Sequence, residues 1–126
     1  KQGNLAKALD VYTAAIDAGV ITLTAVISPY RVDRQMARDA VGPNRFREIY
    51  LTTPLEVCEE RDPKGLYRKA RAGEIAEFTG ISAPYEPPEN PEITINTAEH
   101  GVEACVALLI DQLRSDQVIC DKQQES

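Results

Sequence analysis

This chain lacks the features that mark several specialised classes of protein. Its cysteines, Cys58, Cys105 and Cys120, are odd in number and form no CxxC pair, which argues against a disulfide framework and against a zinc site. No apolar run approaches the roughly 18 residues of a membrane span, and the polar start Lys-Gln-Gly-Asn is unlike a signal peptide. We therefore expect a cytoplasmic protein without a membrane partner.

Charge is distributed unevenly along the chain. The formal net charge of the 126 residues is -6, yet five of the fourteen basic residues lie within one short segment: Arg61, Lys64, Arg68, Lys69 and Arg71. A local positive field in an acidic protein favours an anionic small molecule over a nucleic-acid backbone. We therefore expect a small phosphorylated ligand and no nucleic acid.

The first part of the chain has the pattern helix, strand, helix. Apolar residues at helical spacing predict a helix that Gly19 ends: Leu5, Leu9, Tyr12 and Ile16. The apolar, β-branched run at residues 20–27 predicts a strand covered on both faces, as in a parallel sheet. Ser28 beside Pro29 predicts the N-cap of a second helix over residues 30–41.

The pattern then repeats. Residues 46–51 predict a strand, and Thr53-Pro54-Leu55-Glu56 has the spacing of a capping box for a helix that ends near Arg61. A short basic helix at residues 66–72 and an extended proline-rich stretch at 84–91 lead to a last strand at 93–96. A final helix is predicted by an apolar stripe: Val102, Cys105, Val106, Leu109 and Leu113.

These alternating elements predict one α/β domain over residues 1–115, with a parallel sheet flanked by helices and a frayed polar tail at 116–126. Ligands of such sheets bind beyond the carboxyl ends of the strands. The candidate positions are therefore residues 27–29, 51–53 and 96–98.

Four stretches of the chain follow one protein family in order. They are Ile27-Ser28-Pro29-Tyr30-Arg31 with Asp33-Arg34, residues 54–67 with Asp62-Pro63-Lys64-Gly65-Leu66-Tyr67, residues 69–75, and Phe78-Thr79-Gly80-Ile81. The chain resembles the adenylylsulfate kinases from about residue 5 to about residue 113. The resemblance implies a P-loop-kinase-like fold with a basic lid at about residues 61–81. It also implies transfer of the ATP γ-phosphoryl group, with Mg²⁺, to the 3′-hydroxyl of adenylyl sulfate, and it allows a homodimer of the complete protein.

The motifs with which that family begins do not occur in this sequence. There is no phosphate-binding loop of the form G-x-x-x-x-G-K-[ST] and no Asp-Gly-Asp motif, and the first residue is not methionine. In phosphoryl transfer the loop amides, the loop lysine and the metal supply most of the positioning and charge stabilisation. We therefore expect a domain that is incomplete at its amino terminus and that has negligible turnover by itself.

The resemblance also implies roles for individual residues. Ser28 corresponds to the serine described in the family as a phosphoserine intermediate, and Ile27 and Ser28 would place the substrate. Lys64, Glu77 and Phe78 would contact adenylyl sulfate, with the Phe78 ring against its adenine. The pair Ala76-Glu77 departs from the family pattern, because a lysine or arginine is common at this place.

The ATP pocket would be lined by Arg61, Thr97 and Ala98. Each candidate also has a purely structural interpretation: Ser28 as a helix N-cap, Lys64 as a solvated surface residue, Phe78 as core, and Arg61 as a complement to the helix dipole. No metal ligand is assigned.

Three functions remain open at this point. The first is an adenylylsulfate kinase represented by part of its chain. The second is a catalytically silent domain that binds adenylyl sulfate, as a relic or a regulator. The third is a different nucleotide kinase with a similar lid, which a preference for a nucleoside monophosphate as phosphate acceptor would identify.

Overall fold

The computed structural model describes residues 2–120, in which helices alternate with two short strands. The elements in chain order are α1 (Gln2–Asp17), α2 (Arg31–Val41), a 3-10 helix (Pro43–Arg45), β1 (Ile49–Leu51), α3 (Leu55–Arg61), α4 (Leu66–Arg71), β2 (Ile93–Ile95) and α5 (Val102–Ser115). Among these described helices, none has the length and apolarity needed to cross a bilayer.

The two strands pair in parallel, as the sequence predicts. Ile49 lies opposite Ile93, and Leu51 lies opposite Ile95. The backbone ladder continues past the strand ends, because the Thr52 N–H donates to the Ile95 carbonyl at 2.9 Å. Ile93 and Ile95 are 7% and 3% exposed and belong to the small apolar core. Both strands are shorter than predicted.

The predicted strand at residues 20–27 does not form, and this part of the prediction is wrong. Residues 21–30 have no regular structure, and most of the large apolar side chains in the run are more than half exposed: Val20, Ile21, Leu23, Val26 and Ile27. A strand exists only where a neighbour accepts and donates its ladder hydrogen bonds. The described sheet contains only β1 and β2, so β-branched side chains alone do not create a strand here.

Helix α1 confirms the predicted apolar face. Leu9 is buried, and Leu5, Tyr12 and Ile16 are half-buried. Gly19 follows the helix with φ of +84°, and its N–H donates to the Ile16 carbonyl at 2.9 Å. That left-handed conformation suits glycine, which explains why the helix ends here.

Helix α2 begins at Arg31, and the predicted N-cap at Ser28 is wrong. Tyr30 occupies the N-cap position without a side-chain capping bond. Ser28 instead has φ of +37°, in the left-handed region that few non-glycine residues adopt. It therefore belongs to a strained turn before the helix.

Helix α5 packs against β2 with only part of the predicted stripe. Cys105, Leu109 and Leu113 are half-buried, whereas Val102 and Val106 are 81% and 46% exposed. The predicted tail begins at Asp116, and this residue is fixed to the fold, because its Oδ2 accepts a hydrogen bond from Arg47 Nε at 2.9 Å. Residues 121–126 of the predicted tail lie outside the described part of the chain.

Candidate functional site

The carboxyl ends of β1 and β2 bring two threonines together. Thr53 follows β1 and Thr97 follows β2, and because the strands are parallel their ends meet at one edge. The two hydroxyl oxygens are 2.7 Å apart, and the Thr97 N–H donates to Thr53 Oγ1 at 3.0 Å. The predicted capping role of Thr53 is wrong, since Pro54 is the N-cap residue of α3 and no side chain caps that helix.

Arg61 joins this threonine pair from the end of α3. Its Nη1 donates to Thr97 Oγ1 at 2.8 Å, and its Nη2 donates to the Thr97 carbonyl at 2.8 Å. Ala98 follows directly, with its N–H bonded to Asn96 Oδ1 at 3.0 Å. The three residues predicted to line one nucleotide pocket therefore lie together, and the exposed guanidinium of Arg61 has a fixed orientation.

The lid begins with a turn that Asp62 organises. Its carboxylate accepts hydrogen bonds from the Tyr67 and Arg68 N–H groups at 3.0 and 3.1 Å, at the start of α4. Desolvation acts to raise the pKa of Asp62, but these backbone hydrogen bonds outweigh it and hold the pKa below its ordinary value. Gly65 has φ of +65°, and a Cβ at this position would lie 3.1 Å from Arg68 Nη2. The turn therefore favours glycine.

Phe78 is held in the lid by its backbone and by one aromatic neighbour. Its N–H donates to Ser82 Oγ at 2.9 Å, and the rings of Tyr67 and Phe78 meet edge-on with centroids 5.1 Å apart. Phe78 is half-buried, so part of its ring surface is accessible to solvent. Glu77 precedes it on the exposed side with φ of +51°.

The positive charges of the lid differ in how they are paired. Arg71 forms two hydrogen bonds with the Glu59 carboxylate, at 3.0 and 2.6 Å. These bonds raise the pKa of Arg71 and lower that of Glu59. Lys64 is exposed, and within residues 2–120 it forms no hydrogen bond or ion pair. Its charge is therefore available to an anion, whereas that of Arg71 is neutralised.

The turn at Ser28 is fixed by a residue that we did not single out from the sequence. Arg34, only 9% exposed, donates from Nη1 to the Ser28 carbonyl at 2.6 Å and from Nη2 to the Glu86 carbonyl. Its Nε lies 2.9 Å from Glu48 Oε2, as an ion pair. Arg34 thereby ties the Ser28 turn to the proline-rich stretch, where Glu86 N–H also donates to the Pro29 carbonyl at 2.8 Å. The only feature of the sequence that pointed to Arg34 is its position in the family-like motif, shortly after Tyr30-Arg31.

The candidates fall into two groups that make no bonded contact with each other. In the described part of the chain, no hydrogen bond, ion pair or ring contact joins Ser28 to Lys64, to Phe78 or to the Arg61–Thr97 pair. Ile27, beside Ser28, is 67% exposed.

A cleft of about 680 Å³ lies between α2 and the proline-rich stretch and contains none of the predicted site residues. Arginines and glutamates that already pair with each other line it, Arg34 with Glu48 and Arg38 with Glu92. We therefore interpret this cleft as the place where α2 packs against the proline-rich stretch, and not as a ligand site. Across residues 2–120, no group of three His, Cys, Asp or Glu side chains could hold a metal ion, and no residue is assigned to Mg²⁺.

The fold matches that of a class of α/β kinases. The family described as adenylylsulphate kinase matches residues 1–96, and the chain belongs to that family. This confirms the resemblance and the α/β fold class with a parallel sheet and flanking helices.

Curated relatives and solved structures agree with this family membership. The chain is 60% identical over 97 residues to the adenylyl-sulfate kinase of Vibrio vulnificus strain YJ016, covering 77% of this chain and 47% of that protein. It is 49% identical over 119 residues to the adenylyl-sulfate kinase of Staphylococcus haemolyticus strain JCSC1435, covering 94% and 60%. The chain thus spans about half the length of the curated relatives it matches.

The Mycobacterium tuberculosis APS kinase CysC, solved in complex with AMPPNP and APS, has a TM-score of 0.81 and 40% identity over 89% of this chain and 65% of that one. The crystal structure of APE1195 has a TM-score of 0.77 and 38% identity, over 89% and 64%.

Proposed function

We propose that the protein containing this chain is an adenylylsulfate kinase of sulfate assimilation. It transfers the γ-phosphoryl group of ATP to the 3′-hydroxyl of adenylyl sulfate and yields 3′-phosphoadenylyl sulfate. The observation that carries the proposal is the 60% identity to an adenylyl-sulfate kinase over 97 residues, and the family match over residues 1–96 includes both the lid and the Ser28 turn. The solved relative that binds both AMPPNP and APS supports the choice of substrates.

The lid supplies the groups that suit adenylyl sulfate. Phe78 offers an aromatic face for adenine, and Tyr67 limits the rotation of its ring. Lys64 supplies an exposed charge with no competing partner among the described residues, beside Gly65 at the start of the lid. An exposed point charge suits a phosphosulfate that is bound and later released. Glu77 lies beside Phe78 at the lid surface and would complete the contact.

Arg61, Thr97 and Ala98 form the proposed ATP corner. A guanidinium plane held by two hydrogen bonds to Thr97 can stack on adenine without losing further side-chain entropy. These three residues thus contribute to the reaction by orienting ATP. Among residues 2–120 we assign no side chain to Mg²⁺.

The Ser28 turn is the proposed place for the reacting end of adenylyl sulfate. Its left-handed backbone, fixed by Arg34, is the kind of strained conformation that concentrates at functional sites. We assign Ile27 and Ser28 to substrate placement. A phosphoserine at Ser28 would be the covalent alternative. A Ser28→Ala variant has no hydroxyl to phosphorylate, so turnover at the parent rate by this variant would contradict that alternative.

The test uses the full-length protein with radiolabelled γ-phosphate of ATP. We expect labelled 3′-phosphoadenylyl sulfate with adenylyl sulfate as acceptor, and little label on AMP, CMP or UMP. A preference for a nucleoside monophosphate would identify a different nucleotide kinase. Adenylyl sulfate binding by calorimetry without any transfer would identify a silent binding domain. The 126-residue chain alone is expected to yield no product in the same assay.

A further inference from the structure

The hydroxyl of Thr53 lies behind the proposed ATP corner and has no part assigned to it in the proposed reaction. It contacts Thr97 twice, through the hydroxyl pair at 2.7 Å and through the Thr97 N–H at 3.0 Å. Thr97 in turn holds Arg61 through its own hydroxyl at 2.8 Å and its carbonyl at 2.8 Å. The three side chains therefore form one continuous chain of hydrogen bonds that starts at Thr53.

This chain of contacts orients a side chain that would otherwise be free to rotate. Arg61 is exposed at the end of a helix, and a long exposed arginine samples many rotamers unless it is held. Its guanidinium has only donors, so it needs acceptors fixed in direction. Thr97 Oγ1 and the Thr97 carbonyl are those acceptors, and Thr53 fixes the Thr97 hydroxyl and backbone N–H.

Two simpler roles for Thr53 do not account for these contacts. It does not cap α3, because Pro54 is the N-cap residue and no side chain bonds there. It is not needed to align the two strands, because the backbone ladder already extends to the Thr52 N–H and the Ile95 carbonyl. Among the described residues, the Thr53 side chain forms hydrogen bonds with Thr97 alone.

We propose, on the basis of the function proposed above, that Thr53 is a positioning residue for ATP. It touches no substrate, and it acts by holding Thr97 so that the Arg61 guanidinium keeps one orientation against the adenine. Whichever of the two hydroxyls donates, a valine at position 53 can neither donate nor accept. Thr53→Val thus removes both contacts to Thr97 while keeping the β-branched shape.

The test compares three variants of the full-length protein by steady-state kinetics. Thr53→Val raises the KM for ATP about 3- to 10-fold, the effect of one or two net hydrogen bonds, and leaves kcat and the KM for adenylyl sulfate unchanged. Thr53→Ser keeps the hydroxyl and restores the parent value. Thr94→Val, a shape-matched change at an exposed position of β2 that forms no side-chain hydrogen bond with a described residue, leaves all constants unchanged.

A double-mutant cycle with Arg61→Ala separates positioning from general support of the fold. If Thr53 acts through Arg61, Thr53→Val has little further effect once the guanidinium is gone, so the two effects are not additive. Additive losses, equal losses for both substrates, or a Thr53→Ser variant as poor as Thr53→Val would overturn the proposal.

Direct binding of ATP, measured by calorimetry, distinguishes a failure of this proposal from a failure of the proposed function. A protein that binds ATP but does not phosphorylate adenylyl sulfate would refute the kinase assignment, and weaker ATP binding by Thr53→Val would still support the positioning role. ATP binding that is equal in parent and Thr53→Val would refute the positioning role whatever the acceptor proves to be. A parent protein that binds no ATP would refute both.

Discussion

The ring of Tyr67 meets the ring of Phe78 edge-on, with centroids 5.1 Å apart and planes at 69°. Tyr67 lies on α4 and Phe78 lies beyond it in the lid, so this contact joins the two parts of the lid. Such a pair contributes about 0.5–1.5 kcal/mol beyond its buried area. Because Tyr67 constrains Phe78, we expect both residues to affect the binding of adenylyl sulfate.

Phe78→Leu keeps an apolar side chain but removes the aromatic face. We expect the KM for adenylyl sulfate to rise about fivefold, with a smaller rise for Tyr67→Leu, while the KM for ATP stays constant, since stacking on an aromatic is worth roughly 1 kcal/mol. Tyr67→Phe retains the ring and serves as the control. An equal rise in both KM values would contradict the assignment of Phe78 to adenylyl sulfate.

Lys64 and Arg71 allow a second comparison within the lid. Arg71 is neutralised by Glu59, whereas Lys64 has no partner among the described residues. We therefore expect Lys64→Ala to weaken adenylyl sulfate binding about tenfold or more, since a charge-assisted contact contributes about 1.5–3 kcal/mol, and Arg71→Ala to have little effect. Isothermal titration of each variant with adenylyl sulfate measures this difference. A larger loss for Arg71→Ala would show that the ion pair with Glu59 opens when ligand binds.

Much of the architecture is predictable from the sequence because it depends on local patterns. The face of α1 around Leu9 follows from helical spacing, and the turn at Gly19 follows from glycine's access to positive φ. The rule for strand ends also indicates that Thr53 and Thr97 lie at one edge. These features need only neighbours in sequence or one general rule of sheet topology.

The features that escape prediction depend on partners distant in sequence. Residues 20–27 have the composition of a strand, but the described residues offer them no paired neighbour. The contact of Arg61 with Thr97 spans 36 positions, and that of Arg34 with the Glu86 carbonyl spans 52. Neither contact produces a periodic pattern of residues from which it could be predicted. Ser28 was predicted as a cap because its local sequence fits one, while the Arg34 contact to its carbonyl decides its conformation.

Arg34 leads to a prediction about stability. Replacing this nearly buried side chain by leucine leaves the Glu48 carboxylate, 15% exposed, without its ion partner and the Ser28 carbonyl without its donor. Loss of one partner of a buried ion pair costs about 3–5 kcal/mol. We expect a loss toward the lower end for Arg34→Leu in urea unfolding of the full-length protein, because some water reaches Glu48.

The control lies one turn earlier on the same helix. Arg31 is 49% exposed, its Nε donates to the Pro87 carbonyl at 2.7 Å, and its nearest carboxylate oxygen, on Glu89, is 3.8 Å away. Arg31→Leu should therefore cost only about 0.5–1.5 kcal/mol, the net contribution of one hydrogen bond. Similar losses for the two variants would mean that the buried contacts of Arg34 contribute no more to stability than the exposed hydrogen bond of Arg31.

Glu92 should make stability depend on pH in the acid range. Desolvation acts to raise its pKa, but hydrogen bonds from Arg38 and from the Glu48 N–H outweigh it, so the pKa lies below the ordinary value of 4.5. The unfolded chain thus takes up the proton first as the pH falls. The stabilisation from Glu92 is complete well above pH 4.5, decreases below it, and is lost once the pH passes below the folded-state pKa.

Glu92→Gln removes this titration. We expect the variant to be less stable than the parent at pH 7, and the difference to shrink as the pH falls through the folded-state pKa, measured by urea unfolding at a series of pH values. Glu89→Gln changes an exposed carboxylate with only a distant contact to Arg31, so its curve should follow that of the parent. A difference for Glu92→Gln that stays constant from pH 7 to pH 3 would mean that the carboxylate charge contributes nothing, and that the loss comes from packing around Arg38 alone.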